Sequence, residues 1–282
     1  MDIDIVNIYQ SLGFSPPPGS AGRLRIWTAR TSAQVSAHRR RPAVLILPGG
    51  AYAWTSEREA EPVALRFASF GYGAFVLDYS CAPFAFPTSL REAAMAMRYI
   101  RENADRFEID PHMVAALGFS AGGHLCGCLG SLFDCPEVRD IAPPDRVRPD
   151  ALALCYPVTV SRGRTHALSF ENLSGGDPAL RDRLSLDRLV RPDMPPVFLW
   201  HTRDDASVPV RGTLALALAL EEAGVDFSMH VYHHGQHGLS TADAMAFPAD
   251  KVPYTSPDVP GWIRAAMDFF AEIGFLIQDH GG

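Results

Sequence analysis

Apolar residues along this chain fall into two kinds of stretch that alternate from about residue 43 onward. One kind is a short, unbroken apolar run: "AVLILP" (43–48), "GAFVLDYS" (73–80), "MVAALGF" (113–119), "DALALCYP" (150–157), "PVFLWHT" (196–202) and "DFSMHVYHH" (226–234). Runs of this length with β-branched and aromatic members predict strands, and the near absence of polar interruptions predicts burial on both faces. The other kind repeats its apolar positions every three to four residues. This spacing predicts helices over 59–70, 88–107, 121–133, 210–224 and 259–275. Strand and helix alternating through short connections predict an α/β fold with a mostly parallel central sheet and helices on both faces.

Two stretches break the rhythm. "SPPPGSAG" (15–22) reads as a linker and sets off residues 1–22 as an N-terminal extension ahead of a domain spanning 23–282. Residues 158–195 contain no strand pattern. An insertion of that length in a compact domain predicts a small cap over a site.

Composition narrows the partners. Lys and Arg total 25 against 32 Asp and Glu, a net charge of −7, which argues against nucleic acid and anionic membrane surfaces. The first residues, "MDIDIV", carry acids where a secretory leader carries bases, and no apolar run nears the roughly 20 residues of a membrane span. Five cysteines, Cys81, Cys126, Cys128, Cys135 and Cys155, include no Cys-x-x-Cys pair and read as reduced thiols. Together these features predict a cytoplasmic protein; homo-oligomerisation stays open.

The candidate chemistry centres on "GFSAG" (118–122), a G-x-S-x-G pentapeptide lying between a predicted strand and a predicted helix. That setting is the one in which a tight turn lifts a nucleophilic serine clear of a sheet, here Ser120, with small residues at Gly118 and Gly122 where side chains would strike neighbouring backbone. A serine nucleophile needs a base, and the base needs an acid to orient it. "RDDASVP" follows the strand at 196–202 and offers Asp205, ahead of Asp204; "HHGQHGLS" follows the last strand and offers His237 in a Gly-flanked loop, ahead of His233 and His234. The order serine, acid, histidine and the placement after strand ends both suit a doubly wound sheet. His124, one helical turn past Ser120, reads as packing or support.

An oxyanion formed at Ser120 needs backbone donors. Ala121 follows the nucleophile, and "LPGGAY" (47–52) brings Gly50 and Ala51 behind an early strand. Tyr52 and Trp54 are candidates to line the substrate pocket, while Arg58 and Glu59 suit either the pocket or an ion pair. No metal-ligand spacing appears, and neither metal nor organic cofactor is expected.

"LPGGAYAWTSEREAEPVALRF", "GYGAFVLDYSCAPFAFP", "GFSAGGHL", "FENLSG", "WHTRDDASVPV" and "GQHGL" jointly resemble the acetyl xylan esterase-like carboxylesterases of the α/β-hydrolase superfamily. The resemblance runs from about residue 43 to the C-terminus. It implies an α/β-hydrolase fold and a small-molecule ester substrate, with Ser120, Asp205 and His237 as nucleophile, acid and base, and Gly50, Ala51 and Ala121 at the oxyanion hole. Related esterases often carry His-Gly-Gly-Gly where this chain has Pro48, Gly49, Gly50 and Ala51, so either Gly50 or Ala51 is the main donor. Short acyl esters, especially O-acetyl groups, are the expected substrates. An arylformamidase-type amidase would use the same triad, and a non-catalytic binding protein would share the fold. A prolyl oligopeptidase would need a propeller for which these residues leave no room.

Overall fold

The computed structural model describes residues 2–32, 34–36 and 38–279; Met1 of the N-terminal extension and the last three residues of the domain lie outside them. The strands are β1 (Asp2–Asn7), β2 (Arg23–Thr28), β3 (Arg39–Leu47), β4 (Gly73–Asp78), β5 (Ile109–Phe119), β6 (Ala151–Cys155), β7 (Val197–Thr202), β8 (Phe227–Tyr232) and the short β9 (Gln278–Asp279). The helices are α1 (Ile8–Leu12), α2 (Glu61–Ser69), α3 (Thr88–Glu102), α4 (Ala104–Phe107), α5 (Ser120–Ser131), α6 (Pro144–Val147), α7 (Ala167–Ser174), α8 (Pro178–Arg183), α9 (Leu186–Leu189), α10 (Arg211–Glu222) and α11 (Trp262–Glu272). None of them is long and apolar enough to cross a membrane.

The sheet runs in the order β1-β2-β4-β3-β5-β6-β7-β8. From β4 to β8 all neighbours are parallel, as the unbroken apolar runs predict. Side chains alternate across it. Leu45, Leu47, Val114, Ala116, Val197 and Leu199 enter a core closed by α3, α5 and α10. Their neighbours Val44, Ile46, Ala115, Leu117, Phe198 and Trp200 enter a second core closed by α2 and α11. Alternate burial of this kind on two faces is why these strands show no period of two in the sequence.

The N-terminal extension is not set apart from this domain. β1 pairs antiparallel with β2, and β2 pairs antiparallel with β4, so the first residues supply the edge of the sheet. Ile8 and Tyr9 of α1 are buried in the first core, where the Tyr9 hydroxyl donates to Glu92 Oε1 at 2.9 Å. Glu92 also accepts from the Ser80 backbone and hydroxyl, tying α1 and the end of β4 to α3. β1 and β2 do not stand out in the sequence because six-residue strands with charged alternate positions carry too short an apolar pattern.

Residues 158–195 contain α7, α8 and α9 and no strand. They are tied to the body by backbone and side-chain bonds: Phe86 N–H donates to Leu173 O, His124 Nε2–H to Leu184 O at 2.7 Å, and Asn172 Nδ2 to Ala51 O at 2.9 Å. All five cysteines are free thiols.

Candidate active site

Ser120, Asp205 and His237 stand just past the carboxyl ends of parallel strands. β3 leads into Gly49–Tyr52, β5 into Ser120, β6 into Tyr156, β7 into Asp205 and β8 into His237. Neighbouring parallel strands end side by side, so residues distant in sequence meet along one edge.

Ser120 is the first residue of α5 and has φ +52°, a left-handed conformation that costs a non-glycine residue energy and aims its side chain off the sheet. The turn is possible only because strand and helix backbones touch. A Cβ on Gly118 would lie 2.1 Å from Gly122 O, and one on Gly122 would lie 2.1 Å from Leu47 O and 2.4 Å from Pro48 O. Both obstacles on Gly122 are backbone atoms at the carboxyl end of β3 and cannot rotate away. Gly122→Ala is therefore expected to destabilise the fold by about 3 kcal/mol or more, lowering Tm by roughly 10 °C in thermal melts. A melt within a degree or two of wild type would contradict that contact.

Ser120 Oγ–H donates to His237 Nε2 at 2.8 Å, and His237 Nδ1–H donates to Asp205 Oδ2 at 2.6 Å. Asp205 is buried; its Oδ1 accepts from the N–H groups of Ser207 and Val208. Burial alone would raise its pKa. Hydrogen bonds from His201 and His237, the charge of His237 and the Val208 N–H instead hold it well below the usual carboxylate range. His201, which sequence reasoning does not single out, is fully buried with Nε2 3.3 Å from Asp205 Oδ2. Nothing in "FLWHT" distinguishes this histidine from a core residue; only the neighbouring chain shows what it touches.

The alternatives fall elsewhere. Asp204 accepts from the His234 ring at 2.9 Å and from Gly235 N–H, closing the β8 loop, and the His233 ring lies tilted against that of His234 with centroids 3.8 Å apart. His124 is fully buried, its pKa pushed down to about 4 by desolvation. Its Nε2–H donates to Leu184 O, and its Nδ1 accepts from the Tyr52 hydroxyl at 2.9 Å. Tyr52 is thereby corrected as a pocket candidate. Its φ of +55° turns the side chain inward, where it is 2% exposed and packs against Tyr79 and His124. Trp54, in contrast, is 60% exposed and lines the pocket mouth.

The pocket beside Ser120 holds about 180 Å³ and is lined by Gly50, Ala51, Trp54, Arg58, His166 and His237 among others. Ala51 has φ +58°, held by the Asn172 bond to its carbonyl. Among the described residues the N–H groups of Gly50, Ala51 and Ala121 donate to no protein acceptor. His166, also missed from sequence, comes from the segment before α7 with Nδ1 2.9 Å from Ser169 Oγ. Burial and then the nearby His237 lower its pKa. Arg58 and Glu59 both line the pocket and, among the described residues, form no ion pair; Arg58 lies over the Phe247 ring, and Glu59 is buried at the pocket wall. The described residues include no cluster of His, Cys, Asp and Glu that could hold a metal ion. Chemically, the arrangement offers a nucleophile, a base held in one tautomer, and free donors beside the point of attack.

Two family models match: one described as BD-FAE over residues 33–139, and the prolyl oligopeptidase family over residues 175–251. The first stretch contains Ser120 and the second contains Asp205 and His237. Endo-1,4-beta-xylanase B of Butyrivibrio fibrisolvens is 36% identical over 215 residues, 72% of this chain and 33% of that protein. The acetylxylan esterase of Xylanibacter ruminicola is 29% identical over 205 residues, 70% of this chain and 41% of that protein. The chain thus spans less than half the length of these curated relatives. The crystal structure of an acetyl ester-xyloside bifunctional hydrolase from Caldicellulosiruptor lactoaceticus superposes with a TM-score of 0.82 at 34% identity, covering 97% of both chains.

Proposed function

Because the chain belongs to the acetyl xylan esterase-like α/β-hydrolases, we propose that it is a serine carboxylesterase that removes short acyl groups, above all acetyl, from sugars or other small alcohols. One observation carries the reading: the unbroken chain Asp205–His237–Ser120 ends in a pocket that also presents unpartnered backbone N–H groups.

In this reading Ser120 Oγ attacks the ester carbonyl as its proton passes to His237 Nε2, and Asp205 stabilises the imidazolium. The carbonyl oxygen becomes an oxyanion accepting from Ala121 N–H and from Gly50 or Ala51 N–H. His237 then returns the proton to the departing alcohol. Water, deprotonated by the same histidine, releases the acid from the acyl-enzyme and restores Ser120. Residues 158–195 act as a cap that contributes His166 to the pocket wall. The exposed Trp54 ring suits stacking on a sugar face, with Arg58, Ser56 and Ser207 as polar neighbours for hydroxyls. The acetyl-directed names of two relatives support acetylated sugars as the substrate class.

A series of p-nitrophenyl esters tests the acyl preference. A pocket of about 180 Å³ favours acetate through butyrate, with kcat/KM falling at least roughly tenfold by octanoate as the added methylenes find no wall to pack against. Preference for decanoate, or turnover of formanilides but of no ester, would overturn the short-chain esterase reading.

A further inference from the structure

Glu59 is 3% exposed, sits beside the candidate site and makes no ion pair among the described residues. A buried carboxylate is costly unless its oxygens are held, and an apolar side chain would fill the same space without that cost. What its oxygens hold is therefore informative. Oε2 accepts from Gly49 N–H at 2.8 Å, at the start of the oxyanion loop. Oε1 accepts from the Tyr156 hydroxyl at 2.7 Å. The Tyr156 oxygen in turn accepts from Ser240 N–H at 2.8 Å, three residues past His237. Its ring meets the His237 ring edge-on with centroids 5.1 Å apart.

One hydrogen-bonded chain thus joins the loop after β3, the end of β6 and the loop after β8. The segments it joins are conformationally strained: Ala51, Tyr52, Tyr156 and Ser240 all have positive φ. Such backbone persists only where surrounding contacts over-determine it. The two ends of the chain are the two halves of the machinery, the donors for the oxyanion and the histidine that moves the proton.

We propose that Glu59 is a positioning residue that, through Tyr156, fixes the spacing between the oxyanion loop and His237. The assignment rests on the esterase reading. Its acceptor demand explains why a carboxylate is required: Gly49 N–H and Tyr156 O–H both donate, so each oxygen must accept. In Glu59→Gln the amide oxygen serves Gly49, the amide nitrogen donates to Tyr156, and the Tyr156 proton, with Ser240 already occupying its oxygen as a donor, has no acceptor.

The test compares Glu59→Gln, Tyr156→Phe and the double variant on p-nitrophenyl acetate, with a thermal melt of each. Glu59→Gln is expected to lose roughly 10- to 100-fold in kcat with KM within about twofold of wild type, because misplaced groups weaken the transition state more than the ground state. The double variant is expected to be no slower than Glu59→Gln, since both changes cut one chain. A trifluoromethyl ketone analogue should lose affinity in step with kcat/KM. Unchanged kcat, a rise in KM alone, or effects of the two changes that multiply would each overturn the assignment. If Glu59→Gln fails to fold, Tyr156→Phe decides, because it keeps the ring and deletes only the hydroxyl: a loss in kcat supports the assignment and wild-type kcat overturns it. An inactive wild type would overturn both this assignment and the esterase reading.

Discussion

Ser120→Ala is expected to lower kcat on p-nitrophenyl acetate by about 10⁵- to 10⁶-fold and to abolish labelling by a fluorophosphonate, with Tm within a few degrees of wild type. The loss is large because, among the described residues, Ser120 alone places a hydroxyl on His237 Nε2, and the thiols offer no substitute. Cys126, Cys128 and Cys155 are buried thiols whose pKa values desolvation raises, and Cys81 is pushed up to about 12 by burial and then by the charge of Glu92. None is poised as a thiolate. The backbone donors would survive the substitution, so a residual rate above that in water would remain. Stability changes little because alanine occupies the same left-handed position and gives up only the bond to His237. Turnover within tenfold of wild type would show that Ser120 is not the nucleophile. Lost turnover with intact fluorophosphonate labelling would point to a different reactive serine.

The parts of the fold legible in the sequence are those set by local pattern. The strands from β3 to β8 are apolar runs, and the glycines around Ser120 mark a turn that crowds two backbones. Asp205 and His237 are legible because both lie in loops whose order and position after strands follow from the α/β alternation. What is hidden depends on contacts between distant segments. Glu59 looks like an ordinary polar residue opening a helix, yet it is buried at the pocket wall and meets Tyr156, 97 positions away. Tyr52 looks like a pocket aromatic, but a positive φ reverses the direction of its side chain. His201 occupies a strand position whose partner, Asp205, is close in sequence and brought back only by the turn after β7. β1 and β2 escape notice because strands added at the end of a sheet already built need only a few apolar contacts to join it.

Asp205→Asn is expected to lower kcat by about 10⁴-fold while leaving the pocket geometry and KM nearly unchanged, because it reverses the direction of one hydrogen bond. In the wild-type arrangement Oδ1 is committed to Ser207 and Val208 N–H, which can be satisfied only by an acceptor. Asparagine must therefore keep its oxygen there and turn its NH₂ toward His237. His237 Nδ1 then has to accept, the ring proton moves to Nε2, and Nε2 can no longer take the proton of Ser120. The same substitution should also reduce stability near neutral pH. A carboxyl held below its unfolded value contributes stability that is complete above an unfolded pKa of about 3.9 and is lost as pH falls through the folded one. The Tm gap between wild type and variant is accordingly expected to narrow below about pH 4. Activity retained to within tenfold would assign the acid role elsewhere. Asp204 is the only other carboxylate on this loop, and its oxygens are occupied by His234 and Gly235.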